Sequence, residues 1–329
     1  MRAKLYVSLV PFLLFSALDA PVQFLQHEAA GAMALPPGLG SASELCQLTG
    51  VTELTLEGGS DYDQEFLLTA ADCMPSLKRL TLKGPADLPT VPSAQVSSQW
   101  PLRLETAHAI FLGDAGMELA QLIRYATFLE RTAIGELARD TGLRPQAAKP
   151  VLLLYGDEQH WRLVAGAGTF WGYYAAREQR IHMAHWKTPG AINTILLTHE
   201  LFHWLAWEEG RVDLPIWLNE GLAHNLSWRI DLKAEGWVTP FALREWHRVA
   251  AEPDEPVPSL DTHREQDQFT VTAGSHLLQT RGREALAEFF ALTRSGVPFE
   301  DAFLEAFGTT PAAFEAEYRN VVQQKRESE

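Results

Sequence analysis

His199-Glu200-Leu201-Phe202-His203 lies within an apolar run that extends from Ile195 to Trp207. A helix turns once in about 3.6 residues, so His199 and His203 share one face and can present both imidazoles to a single cation. Glu200 projects about 100° around from His199. That offset leaves its carboxylate beside the cation, where it can take a proton from a water the ion acidifies. The helix is expected to start at a Thr188 cap with Pro189 in its first turn, to reach about Trp207, and to stop near Gly210.

Catalytic zinc needs a third protein ligand and leaves a fourth position for water. Glu220 is the best candidate. It follows His203 by 17 residues, on a second expected helix opened by Asp213 and Pro215. Two helices joined by a short turn can fold back and bring it to the first. Its surroundings read Trp217-Leu-Asn-Glu220-Gly-Leu-Ala223. His224 lies one turn further and faces the same way. It is a ligand, a hydrogen-bond donor to Glu220, a proton donor to a reacting carbonyl, or a packing histidine. The continuation H-x-x-G-x-x-H is not followed, since Ala206 and Glu209 occupy the glycine and histidine positions.

With its two metal strings the chain resembles the gluzincin metallopeptidases, whose H-E-x-x-H is followed by a glutamate on the next helix. The Trp217–Ala223 string is similar to that of the M1-type aminopeptidases and, more closely, of the bacterial peptidase MA-like group. Gly172-Tyr-Tyr174 ahead of Arg180–Ala184, and Gly282–Leu286 through Ala306-Phe-Gly308, resemble that group in pattern. The resemblance covers roughly residues 102–325. It implies a zincin-like fold, one Zn2+ held by His199, His203 and Glu220, and Glu200 as general base. The G-A-M-E-N string of the M1 aminopeptidases is absent, so aminopeptidase activity is not implied. The tyrosine that the group often carries before the Gly282 helix is also absent, since the stretch reads Asp267-Gln-Phe-Thr270.

Working outward from the metal helices, the pattern is strand, helix, strands, then helices. Leu102–Leu112 reads as a strand and residues 114–140 carry helical periodicity. Val151–Tyr155, Trp161–Ala165, Phe170–Ala175 and Arg180–His185 have strand length, and the chain from Pro240 is mainly helical. This order predicts an α+β domain over 102–325, a mixed sheet packed on helices with a helical C-terminal part. Ahead of it, Val51-Thr-Glu-Leu-Thr-Leu56 is echoed at an offset of 26 by Leu77-Lys-Arg-Leu-Thr-Leu82. Residues 42–86 therefore read as a small strand-containing module, either leucine-rich-repeat-like or a plain β-hairpin. Linkers rich in Pro, Gly and Ala are expected over 21–41 and 87–101.

Residues 1–20 pair Arg2 and Lys4 with an apolar run from Leu5 to Leu18. That is the pattern of a secretory signal, and the run is short of the about 20 residues a membrane span needs. If retained, it is a membrane tether. Either way the chain is expected to be exported, periplasmic, secreted or envelope-anchored, and Cys46 and Cys73 then suggest one disulfide. A net charge of −15 without clustered Lys and Arg excludes nucleic acid as a partner. The sequence carries no signal of oligomeric state.

The remaining candidates read more plainly. Tyr173 and Tyr174 read as cross-strand or core aromatics, and either, Tyr174 first, can supply a phenol to an oxyanion. His182 and His185 point to opposite faces of a strand and read as surface residues. Trp204, Trp207, Trp217 and Trp228 read as core, and Asp213 as a helix cap. The expected function is a zinc-dependent hydrolase that cleaves a peptide or protein substrate. The rival is a non-catalytic envelope binding protein that keeps a metal site for structure. Glu200 argues against it, because a structural site needs no general base.

Overall fold

The computed structural model describes residues 32–35, 45–46, 50–57, 64–83, 98–146, 148–165, 171–187, 193–251, 257, 259–260 and 268–328. The signal expected over 1–20, Thr188 and Pro189 lie outside them. Among the described residues no helix is long and apolar enough to cross a membrane.

The strands are β1 (Ala32–Leu35), β2 (Glu53–Glu57), β3 (Arg79–Lys83), β4 (Leu102–Glu105), β5 (Ile110–Gly113), β6 (Val151–Tyr155), β7 (Gly172–Ala175) and β8 (Arg180–Ala184). They form one mixed sheet in the order β1-β2-β3-β4-β5-β6-β8-β7. β1 to β4 are parallel neighbours, β4 and β5 form an antiparallel hairpin, β5, β6 and β8 are parallel, and β7 closes one edge antiparallel to β8. Residues 102–112 are thus two strands and not one. Thr106 turns the chain, its hydroxyl exchanging hydrogen bonds with Ala109.

The internal echo is realised as pairing. Leu54, Thr55 and Leu56 sit beside Leu80, Thr81 and Leu82, an offset of 26 residues. The pairing is parallel, with helix α1 (Gln64–Cys73) between the strands, so the hairpin alternative fails on strand direction. Cys46 and Cys73 are bonded to each other. β1 falls inside the stretch expected as a linker, and β3 pairs with β4 across the second one. Strands from both sides of 87–101 therefore share one sheet.

One face of the sheet carries the main core. Leu54, Leu56, Leu80, Leu104, Phe111, Leu152, Leu154, Ile181 and Met183 pack there against helices. On the other face Ile110, Leu112, Val151, Leu153, Tyr155 and Ala184 join Trp100 and Trp161 in a smaller core. β6 is buried on both sides, which is why Val151–Tyr155 is apolar without alternation.

The helices after β5 are α2 (Leu119–Phe128), which continues through a π turn at Leu129–Ala133 into α3 (Ile134–Thr141), and α4 (Glu158–Ala165). Then come α5 (Thr194–Glu208), α6 (Ile216–Asp231), α7 (Pro240–Ala250), α8 (Gln268–Arg294), α9 (Phe299–Phe307) and α10 (Pro311–Ser328). α4 occupies the stretch expected as a strand over Trp161–Ala165. Local chemistry decides it. Asp157 accepts from the backbone of Gln159 and His160 as a cap, and Glu158 pairs with Arg162 one turn on. Trp161 is buried while Leu163 and Val164 face outward, so the apolar run is not a buried strand. From Pro240 the described residues are mainly helical, as expected.

Candidate metal centre

α5 starts at Thr194. Its cap is Asn193, whose side-chain oxygen accepts from the Leu196 amide at 2.8 Å. Leu197, Leu201, Phe202 and Leu205 are wholly buried and fix the helix against the sheet and its neighbours. α6 returns antiparallel to α5: Thr194, in the first turn of α5, donates to Asp231 at the end of α6. The N-cap of α6 is Pro215, so Asp213 is not the cap expected. α6 also meets α8 backbone to backbone. A Cβ on Gly221 would stand 2.6 Å from the Thr270 carbonyl oxygen, and one on Gly274 2.6 Å from Gly221. Asn225 donates to the carbonyls of Gly221 and Val271 across the same contact. Glu220, one residue before Gly221, is placed by this close approach.

The result brings three donors together. His199 Nε2 and His203 Nε2 are 3.0 Å apart. Each lies 3.3 Å from a Glu220 carboxylate oxygen, Oε2 for His199 and Oε1 for His203. Tetrahedral coordination with bonds of about 2.0–2.1 Å sets donors about 3.3 Å apart, so this spacing suits a small cation. Among the described residues this is the one group of three or more His, Cys, Asp or Glu side chains that can hold a metal ion. His203 Nδ1 is 3.0 Å from Asn219 Oδ1, which fixes Nε2 as the nitrogen left for a ligand bond.

The electrostatics agree. Burial raises the Glu220 carboxyl, but the His199 hydrogen bond and the charges of His203, His199 and His224 outweigh it and hold it at about 2. Burial pushes His203 down to about 4, helped by the charge of His199. Burial also lowers His199, but Glu220 and Glu200 beside it raise it on balance. Two imidazoles facing one carboxylate are a group that could hold a metal ion.

Glu200 is buried on the same helix, beside His199. Its Oε1 lies 3.2 Å from the point a Cβ on Gly172 would occupy. Glycine at the start of edge strand β7 thus leaves room for the carboxylate. His224 packs edge-on against His199, ring centroids 4.5 Å apart, and burial drives it down to about 3.

Tyr174 is engaged elsewhere: its hydroxyl donates to Glu208 in the last turn of α5 at 2.6 Å. Tyr173 points to the opposite face of the sheet and stacks on His182 at 4.5 Å. His182 and His185 do face opposite ways, but both are buried rather than on the surface. The first holds Tyr155 at 2.8 Å and the second Tyr125 at 3.1 Å. Trp204 and Trp217 are core, Trp228 is half-buried against Phe241, and Trp207 is 46% exposed on the outward side of α5. Sequence reasoning passed over Asn219, Gly172 and Gly274. Asn219 stood within the Trp217–Ala223 string; the two glycines matter through contacts with distant segments. Comparison of the chain with models of known protein families and with curated proteins finds no match in either.

Proposed function

We propose that the chain is a zinc-dependent hydrolase of the gluzincin type, a zincin-like domain that cleaves peptide bonds. The observation that carries this reading is the meeting of His199, His203 and Glu220 at mutual distances of 3.0–3.3 Å with Glu200 buried beside them. Two neutral imidazoles and one carboxylate are a donor set that suits Zn2+, and three protein ligands leave a position open for chemistry. Bound there, zinc supplies a Lewis acid that acidifies water and polarises a carbonyl.

The side chains do the rest. Glu200 takes a proton from the attacking water and returns it to the leaving amine. Asn219 holds the His203 ring in the tautomer that offers Nε2. β7, the edge strand beside Glu200, presents backbone groups to which an extended peptide can add as a further strand. The disulfide between Cys46 and Cys73 supports export, because such bonds persist in oxidising compartments.

The test joins zinc stoichiometry to a mixed peptide library and Glu200→Gln. The native protein should bind one zinc and cleave library members. The variant should keep the zinc and lose about 10²–10⁴-fold in rate. A protein that binds no zinc, or a variant as active as the native chain, overturns the reading. Zinc without cleavage favours a binding protein.

A further inference from the structure

We propose that His224 is a substrate-contacting residue of this centre, supplying a hydrogen bond to an oxygen of the bound ligand; this rests on the hydrolase reading above. Its position follows from α6: one turn after Glu220, on the same face. Its ring is wedged between the His199 ring, centroids 4.5 Å apart, and Phe241 at 5.6 Å, which itself stacks on Trp228 at 4.9 Å. The Phe241 ring on one side of this wedge offers no hydrogen-bond donor or acceptor. The polar side is the metal centre.

His224 Nε2 is buried and has no hydrogen-bond partner. A buried nitrogen left unpaired is costly, and folded proteins rarely keep one without a reason. His203 shows the contrast, since its second ring nitrogen is satisfied by Asn219. Nor is His224 a fourth ligand in this arrangement, because the group that can hold an ion is limited to His199, His203 and Glu220. An unpaired imidazole nitrogen next to a ligand histidine is suited to the oxygen of a carbonyl, carboxylate or hydroxamate held by the ion. Tyr174, the phenol that could otherwise serve such an oxygen, is bound to Glu208 instead.

The experiment compares the full-length native protein with His224→Phe and His224→Gln. Phe keeps a ring in the wedge and removes the nitrogens; Gln restores a donor and an acceptor. Zinc affinity is read by competition with a chromogenic chelator, and acetohydroxamate binding to the zinc-loaded proteins by calorimetry. We expect zinc affinity within about threefold of native in both variants, hydroxamate binding at least about tenfold weaker in His224→Phe, and most of that loss regained in His224→Gln. Unchanged hydroxamate binding in His224→Phe overturns the proposal and leaves a packing histidine. A fall confined to zinc affinity overturns it in favour of a residue that orients His199. A native protein that takes up no zinc overturns the hydrolase reading itself, whereas zinc and hydroxamate binding that ignore His224 leave that reading standing.

Discussion

At the scale of single residues the centre depends on which nitrogen each histidine offers. His203 has that choice made for it by Asn219, 3.0 Å from Nδ1. Outer partners of this kind typically contribute about 10–100-fold to metal affinity by fixing tautomer and ring orientation. Asn219→Ala should therefore weaken zinc binding by about that factor while the fold stays intact, because Asn219 is only half-buried and its replacement opens little space. Chelator competition beside a thermal melt of the zinc-free protein checks it: equal affinity in the two proteins would mean that His203 is oriented by packing alone. His199, Glu200 and His203 could be placed together from sequence because helical spacing turns i and i+4 directly into geometry, whereas Glu220 rested on a second helix folding back. His224 was left open between four roles, since spacing gives a face but not a partner. Tyr174 was read as a core or cross-strand aromatic that can supply a phenol to an oxyanion; its actual partner, Glu208, lies 34 residues away and leaves no local trace.

At the scale of elements, Glu220 is brought to His199 and His203 by helix packing. α6 and α8 touch at Gly221 and Gly274, where a Cβ on either would come within 2.6 Å of the other helix's backbone. Backbone cannot yield as a side-chain tip does, so a methyl group here must push the helices apart. Gly274→Ala should destabilise the protein by about 1–3 kcal/mol or more. It should also weaken zinc binding, since moving α6 moves Glu220, although Gly274 is distant in sequence from every ligand. Denaturant midpoints and chelator competition measure the two effects. A variant with native stability and native zinc affinity would show that α8 does not position Glu220. Helix starts were less legible than helix existence. Asn193 caps α5 and Pro215 opens α6, where Thr188 and Asp213 had the better local pattern. In α4 an Asp157 cap and one ion pair outweighed an apolar run that read as a strand.

At the scale of the whole molecule, a sheet of eight strands runs from the N-terminal repeat to the edge beside Glu200. The repeat was visible in sequence because its two strands carry the same residues at the same offset; its direction and its continuation into β4 were not, since pairing partners are set by tertiary packing. The face of that sheet away from the main core carries a buried titratable group, His182, between Tyr155 and Tyr173. Burial, aided by the charge of Arg180, lowers it to about 4 from an ordinary 6.5. The unfolded chain therefore takes up this proton first as pH falls. The group costs nothing above about pH 6.5, and its penalty grows as pH drops to about 4, reaching about 3 kcal/mol at about 1.4 kcal/mol per pH unit. His108 works in the opposite sense: its hydrogen bond to Glu130 raises it, so its contribution is present below its ordinary value and fades as pH rises through the raised one. His182→Asn keeps a polar group near the Tyr155 hydroxyl and removes the titration. Whatever its effect at pH 7, the stability advantage of the native chain over this variant should shrink by about 3 kcal/mol between pH 7 and pH 4, because every other titrating group is common to both. Urea unfolding of the two proteins across that range decides it, and parallel stability curves would show that His182 takes up its proton in the folded state as readily as in the unfolded one.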